Sequence, residues 1–223
     1  MRPLYFRLLL VLSSGLISAS LLWFFTDKPA VVINASDEYS SSNFGGDFSL
    51  MQTTAEALHK KDKNNFANCE KFSLNQLSGK FVILYFGYTF CPDVCPLGLS
   101  NISIALKQLG KDRDQFVPVF ITIDPTRDTC EQLALYKTNF DPAFIFLTGS
   151  EQDIDKVKLQ YRVYAMKEEN PSRPENYLVN HSSYVYILNR QGKFVKNLNH
   201  DTPSADMNKA FVDLLKYEIK SSK

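Results

Sequence analysis

Cys91 and Cys95 have three residues between them in the run Cys91-Pro92-Asp93-Val94-Cys95-Pro96. Two thiols this close support two kinds of chemistry. As thiolates they form a soft-metal site, and as a redox pair they close and reopen a disulfide. Each cysteine is followed by a proline. Proline restricts the residue before it and suits a first helical turn, so the run reads as a bent loop entering a helix. A thiol ahead of a helix N-terminus has a lowered pKa, because exposed N–H groups and the helix dipole favour the thiolate. The competing reading is a pair of small buried hydrophobes. Prolines after both positions make that packing role a poor fit.

A metal site needs a third ligand, and two thiolates with one imidazole suit Cu(I), or Cu(II) with a carboxylate or water added. The chain has three histidines, His59, His181 and His200. His59 lies in a polar stretch. His200 stands beside Asp201 and close to Pro203, in what reads as a loop. His181 follows Asn180 and precedes the apolar run 184–188. It is the candidate ligand, against the ordinary reading of a surface or core histidine.

The elements that must position these residues follow from the hydrophobic pattern. Residues 81–86, Phe-Val-Ile-Leu-Tyr-Phe, form an apolar run of strand length, the signature of a strand buried on both faces. They deliver Cys91 to the strand end. Residues 97–109 carry Leu99, Ile102, Leu106 and Leu109 at helical spacing and stop at Gly110. Residues 116–123 read as a second buried strand and 129–136 as a helix. A short strand is predicted over 144–147, then a helix over 152–161 with Ser150 as its cap. Residues 184–188 and 193–195 flank Asn189-Arg190-Gln191-Gly192, a hairpin signature. An amphipathic helix over 204–218 closes the chain. Residues 48–50 suggest a short first strand, whereas 53–76 are mostly polar, with the solvated cluster Lys60-Lys61-Asp62-Lys63. Alternating strands and helices followed by a hairpin imply a layered α/β domain with mixed strand directions.

The 223 residues are 44% hydrophobic and 22% charged, which is globular and sufficient for one domain plus an appendage. Lys+Arg and Asp+Glu balance at 25 and 24, so no global charge invites nucleic acid. Four cysteines are too few for a disulfide scaffold of this length. The appendage is N-terminal. Arg2 and Arg7 precede residues 8–25, which carry no charge and would span about 27 Å as a helix. Trp23 sits near the far end, where aromatics favour the interface. The predicted arrangement has a cytoplasmic or matrix-side segment 1–7, a transmembrane anchor 8–25, a tether 26–46 and a folded domain 47–219. The flanking arginines put that domain on the far side of the membrane. The alternative is a cleaved signal at Ser18-Ala19-Ser20, but residues 21–25 continue apolar beyond it.

Three ordered blocks carry a resemblance. Residues 86–96, Phe-Gly-Tyr-Thr-Phe-Cys-Pro-Asp-Val-Cys-Pro, resemble the signature of the SCO/SenC family. So do residues 121–129, Ile-Thr-Ile-Asp-Pro-Thr-Arg-Asp-Thr, and residues 178–183, Leu-Val-Asn-His-Ser-Ser. The resemblance implies a thioredoxin-like fold, with a mixed sheet flanked by helices, tethered to a membrane. It implies a copper site in which Cys91, Cys95 and His181 are the ligands. It further implies a role in maturing the dinuclear copper centre of cytochrome c oxidase, read first as that of a metallochaperone, not an enzyme, with a thiol–disulfide oxidoreductase that reduces the cysteines of the oxidase copper-site subunit as the alternative. The implied partners are the copper-site subunit of the oxidase and an upstream copper donor. The implied location is the periplasm or the mitochondrial intermembrane space. Asp124 resembles a family acidic residue near the site, and capping its own Asp-Pro-Thr-Arg-Asp turn is an equally good reading. Two departures stand out. The position before the first thiol, often His in the family, is Phe90. Cys69 and Cys130 fall outside the blocks, either as inert thiols or as a pair in an oxidising compartment.

Overall fold

Residues 44–58, 68–168 and 176–221 are described by the structure, a computed structural model. The predicted anchor and most of the tether lie outside these residues, as does His59. Among the described residues no helix is long and apolar enough to cross a membrane.

The centre is a seven-stranded mixed sheet in the order β2-β1-β5-β4-β3-β8-β9. Its strands are β1 (Ser49–Thr53), β2 (Cys69–Ser73), β3 (Phe81–Gly87), β4 (Phe116–Thr122), β5 (Ile145–Thr148), β8 (Tyr184–Leu188) and β9 (Phe194–Asn199). β3, β4 and β5 run parallel, and β1 and β8 flank them antiparallel. Parallel neighbours need covered crossovers, which explains the helices α1 (Val94–Gln108) between β3 and β4 and α2 (Cys130–Lys137) between β4 and β5. α3 (Glu151–Gln160) follows β5, and α4 (Ser204–Ser221) ends the domain against α1. Every residue of β3 is buried, as its unbroken apolar run requires.

Successive side chains of β3 point to opposite faces. Tyr85 packs towards α1, and its register partner Phe120 meets Tyr136 of α2 at 5.9 Å. Phe86, on the opposite face, meets Tyr161 at the end of α3 at 5.7 Å and Tyr186 of β8 at the same distance. Phe44 joins this second layer, 4.4 Å from Phe194, so packing begins inside the stretch read as tether. α1 crosses β3 closely enough that a Cβ on Gly98 would lie 2.9 Å from the Tyr85 ring. Glycine there is a packing requirement.

Two further strands make a separate ribbon, with β6 (Ala165–Glu168) antiparallel to β7 (Leu178–His181). The sequence reading missed both, and also β2. β6 and β2 are polar and half-exposed or exposed at most positions, so neither shows a hydrophobic run. The predicted cap Ser150 is in place, and Thr129, read as helical, proves to be the cap of α2. Ser150 Oγ accepts the Asp153 N–H at 3.1 Å, and Thr129 Oγ1 accepts that of Gln132 at 3.2 Å.

Candidate metal centre

The site forms where β3 ends and α1 begins. α1 starts earlier than its apolar spacing suggested, at Val94, so Cys95 lies in the first turn and Pro96 follows it there. Proline is tolerated because an N–H at that position has no intrahelical acceptor to lose. Cys91 stays outside the helix, in a tight turn in which its N–H donates to the Tyr88 carbonyl at 3.2 Å. The side chain of Asp93, at the N-cap position, makes no capping bond. The Cys91 sulfur instead accepts the Cys95 N–H at 3.5 Å. Gly87 makes room behind the pair, since a Cβ there would stand 2.6 Å from Cys95 Sγ.

The two thiols differ in character. Cys91 is pushed down to about 5, chiefly because the Cys95 thiol donates to it, with help from backbone N–H groups at the helix start. Cys95 is pushed up, because it is the donor in that pair and is fully buried. Cys91 is therefore the ready thiolate and Cys95 the reserve thiol. Neither is in a disulfide.

His181 arrives from the ribbon. Its Nε2 lies 3.6 Å from Cys95 Sγ, and its Nδ1 lies 3.0 Å from the Val179 carbonyl. A carbonyl accepts only, so this contact assigns the proton to Nδ1 and leaves the Nε2 lone pair facing sulfur. A cavity of about 200 Å³ opens over the group, lined by Tyr88, Cys91, Val94, Val179 and His181 among others. A larger cavity of about 530 Å³ lies between Phe44 and the 189–194 turn, and no thiol or imidazole lines it. Two sulfurs and one imidazole fit a soft cation. Among the described residues, however, no three His, Cys, Asp or Glu side chains are already closed into metal-holding geometry. Cys95 and His181 face each other, while the Cys91 sulfur is engaged at the helix end.

The other candidates resolve differently. His200 Nδ1 pairs with Ser183 Oγ at 3.0 Å, and its backbone N–H donates to the Ser183 carbonyl at 3.1 Å. Asp124 is fully buried and its carbonyl closes the predicted turn onto Asp128 at 2.9 Å. Its carboxylate accepts from Arg127 Nε at 2.5 Å and from the Tyr177 hydroxyl at 2.7 Å. The Arg127 guanidinium lies 3.5 Å from the centre of the Tyr177 ring and 4.7 Å from that of Phe90. Asp124 thus anchors an arginine that braces the site loop. Asp128 is the residue the sequence reading missed. Its carboxylate accepts from the Thr89 N–H at 3.0 Å and from the Thr89 and Thr122 hydroxyls, each at 2.6 Å. It ties the thiol loop to the end of β4, and burial raises its carboxyl to about 6. Its signal was a second acid in the Asp-Pro-Thr-Arg-Asp block, four residues after the first.

Cys69 and Cys130, unplaced by sequence, form a disulfide between the start of β2 and the start of α2.

A thioredoxin-like α/β domain that gathers two free cysteines and a histidine at the end of a central strand defines a narrow class. The sequence matches the SCO1/SenC family over residues 36–216, and the chain belongs to that family. It is 37% identical over 158 residues to a SCO2-like protein of Rickettsia felis, covering 71% of this chain and 70% of that one. It is 35% identical over 181 residues to the mitochondrial SCO1 homolog 1 of Arabidopsis thaliana, covering 80% of this chain and 49% of that one. The crystal structure of Arabidopsis thaliana ScoI with copper bound superposes with a TM-score of 0.66 at 34% identity. That match covers 78% of this chain and 99% of that one.

Proposed function

We propose that this protein is a copper metallochaperone in which Cys91, Cys95 and His181 hold the ion as cargo. The supporting observation is the 3.6 Å approach of His181 Nε2 to the buried Cys95 thiol, with the Cys91 sulfur 3.5 Å from the Cys95 backbone nitrogen. Soft sulfur donors with one imidazole select Cu(I) over harder cations. Loading releases a thiol proton from Cys95 and draws the three side chains in around the ion. On this reading the cargo goes to the dinuclear copper centre of cytochrome c oxidase, with the oxidase copper-site subunit as acceptor and an upstream copper donor as source; membership of the SCO1/SenC family supports it. This reading takes residues 8–25 as a membrane anchor and the stretch from 26 to about 43 as its tether, with the domain facing the periplasm or the intermembrane space. The Cys69–Cys130 disulfide supports an oxidising compartment, because such bonds are rare where glutathione and thioredoxin keep thiols reduced.

A second reading is favoured by the unequal thiols. The Cys91 thiolate attacks a partner disulfide, one partner sulfur leaves as thiolate, and Cys95 then resolves the mixed disulfide, so the partner gains two electrons and this pair becomes oxidised. The two readings part at His181, which binds metal but is neither attacking nor leaving group. In cells lacking the endogenous protein, His181→Ala should fail to restore oxidase activity while the purified variant still exchanges disulfides. Full restoration by a variant that has lost copper would overturn the chaperone reading in favour of the reductase.

A further inference from the structure

We propose that the Tyr88 hydroxyl is a positioning device for the His181 imidazole. The inference rests on the reading that His181 is a copper ligand. His181 does not belong to the main sheet. It ends a strand of the small ribbon, so something must hold that ribbon to the thiol loop. Tyr88 does so from both ends. It directly follows β3, and its carbonyl accepts the Cys91 N–H at 3.2 Å. Its hydroxyl accepts the Val179 N–H at 3.2 Å. Val179 in turn holds His181 Nδ1 at its carbonyl, at 3.0 Å. The Tyr88 ring stands edge-on to the imidazole, 5.6 Å between centres at 80°.

One side chain therefore fixes the backbone turn of the first thiol and the strand of the imidazole. The contacts run from the hydroxyl through the N–H and carbonyl of Val179 to Nδ1, and they select the tautomer with Nε2 facing Cys95. Tyr88 is 2% exposed and Val179 is 5% exposed, so water does not replace the bond freely. Phenylalanine would keep the ring contact and lose only the hydroxyl. The strand would then lose its tie to the thiol loop, and the Val179 carbonyl that holds Nδ1 would no longer be fixed relative to Cys95. Partners of this kind behind a metal-bound histidine typically govern affinity by about 10- to 100-fold.

The test uses the full chain, labelled with ¹⁵N-histidine, as wild type and as Tyr88→Phe. In the metal-free protein the wild-type His181 ring should report a single Nδ1-protonated tautomer, whereas the variant should show a mixture. In a Cu(I) titration against a competing chelator, Tyr88→Phe should bind at least about tenfold more weakly at unchanged stoichiometry. A melting temperature close to wild type would exclude general damage. If Tyr88→Phe does unfold early, Val179→Ala serves as the control, since it removes packing and keeps the hydroxyl's acceptor role. An unchanged His181 tautomer in Tyr88→Phe overturns the proposal, whatever happens to affinity. Wild type that takes up no copper overturns the ligand reading alone, and the tautomer comparison still decides the role of Tyr88.

Discussion

The molecule carries two cysteine pairs, and they behave as opposites. Cys69 and Cys130 are 61 residues apart in sequence and bonded, with their Cα atoms at 5.9 Å. Cys91 and Cys95 are four positions apart and free. The bonded pair joins the starts of β2 and α2, where the Thr53 hydroxyl donates to the Cys130 carbonyl at 2.6 Å and the nearest hydrophobic neighbours are small, such as Ala57 and Ala134. Cys130 also opens a helix, but its sulfur is bonded to Cys69, and among the described residues no imidazole lies against the pair. The free pair sits at a helix N-terminus, with backbone donors, a histidine and an open cavity. Reactivity here comes from the surroundings of the sulfur rather than from the number of thiols. One pair closes a long loop, and the other is free.

Replacing both Cys69 and Cys130 with serine should lower unfolding free energy by roughly 2–4 kcal/mol, because the denatured chain loses its longest constraint. Urea unfolding without reductant reads this directly. Copper stoichiometry should stay at that of the wild type. A double variant that is as stable as wild type, or that binds less copper, would mean that the two pairs are not separate devices.

A smaller effect belongs to Asp128, which ties the reactive pair's loop to β4. Burial raises its carboxyl to about 6, above the ordinary aspartate value near 3.9. The folded state thus favours the protonated acid. Its contribution to stability is complete below about pH 4 and is lost as pH rises through about 6. Measured against Asp128→Asn, wild type should lose up to roughly 3 kcal/mol of relative stability between pH 4 and pH 7. Urea unfolding at both pH values gives the difference. A difference independent of pH would assign the raised carboxyl elsewhere.

Much of the fold was legible because its central strands are buried on both faces. β3 and β4 appear as continuous apolar runs, and the hairpin carries its turn residues in Asn189 to Gly192. The thiols were legible because proline and a strand end advertise a special backbone. The ribbon was not. Leu178 and Asn180 face solvent while Val179 is buried, and four residues of such alternation do not stand out from a loop. His181 could therefore be named as a candidate from its neighbours, but its approach to Cys95 depends on a strand that sequence pattern does not reveal. The Cys69–Cys130 bond was hidden for a related reason, since bonding distance is a property of the fold. Asp128 was hidden because a buried acid looks like any turn acid until its three donors are in place.

The central claim is that the free pair and the ribbon histidine hold one copper ion together. The direct measurement is Cu(I) titration of the reduced full chain against a competing chelator, for wild type, Cys91→Ser, Cys95→Ser and His181→Ala. Wild type should take up one ion per chain. Either serine variant should lose tight binding, because a hydroxyl is a poor ligand for a soft cation. His181→Ala should bind at least about tenfold more weakly, or roughly 1.4 kcal/mol. Serine variants that bind copper with wild-type stoichiometry and affinity would contradict the account.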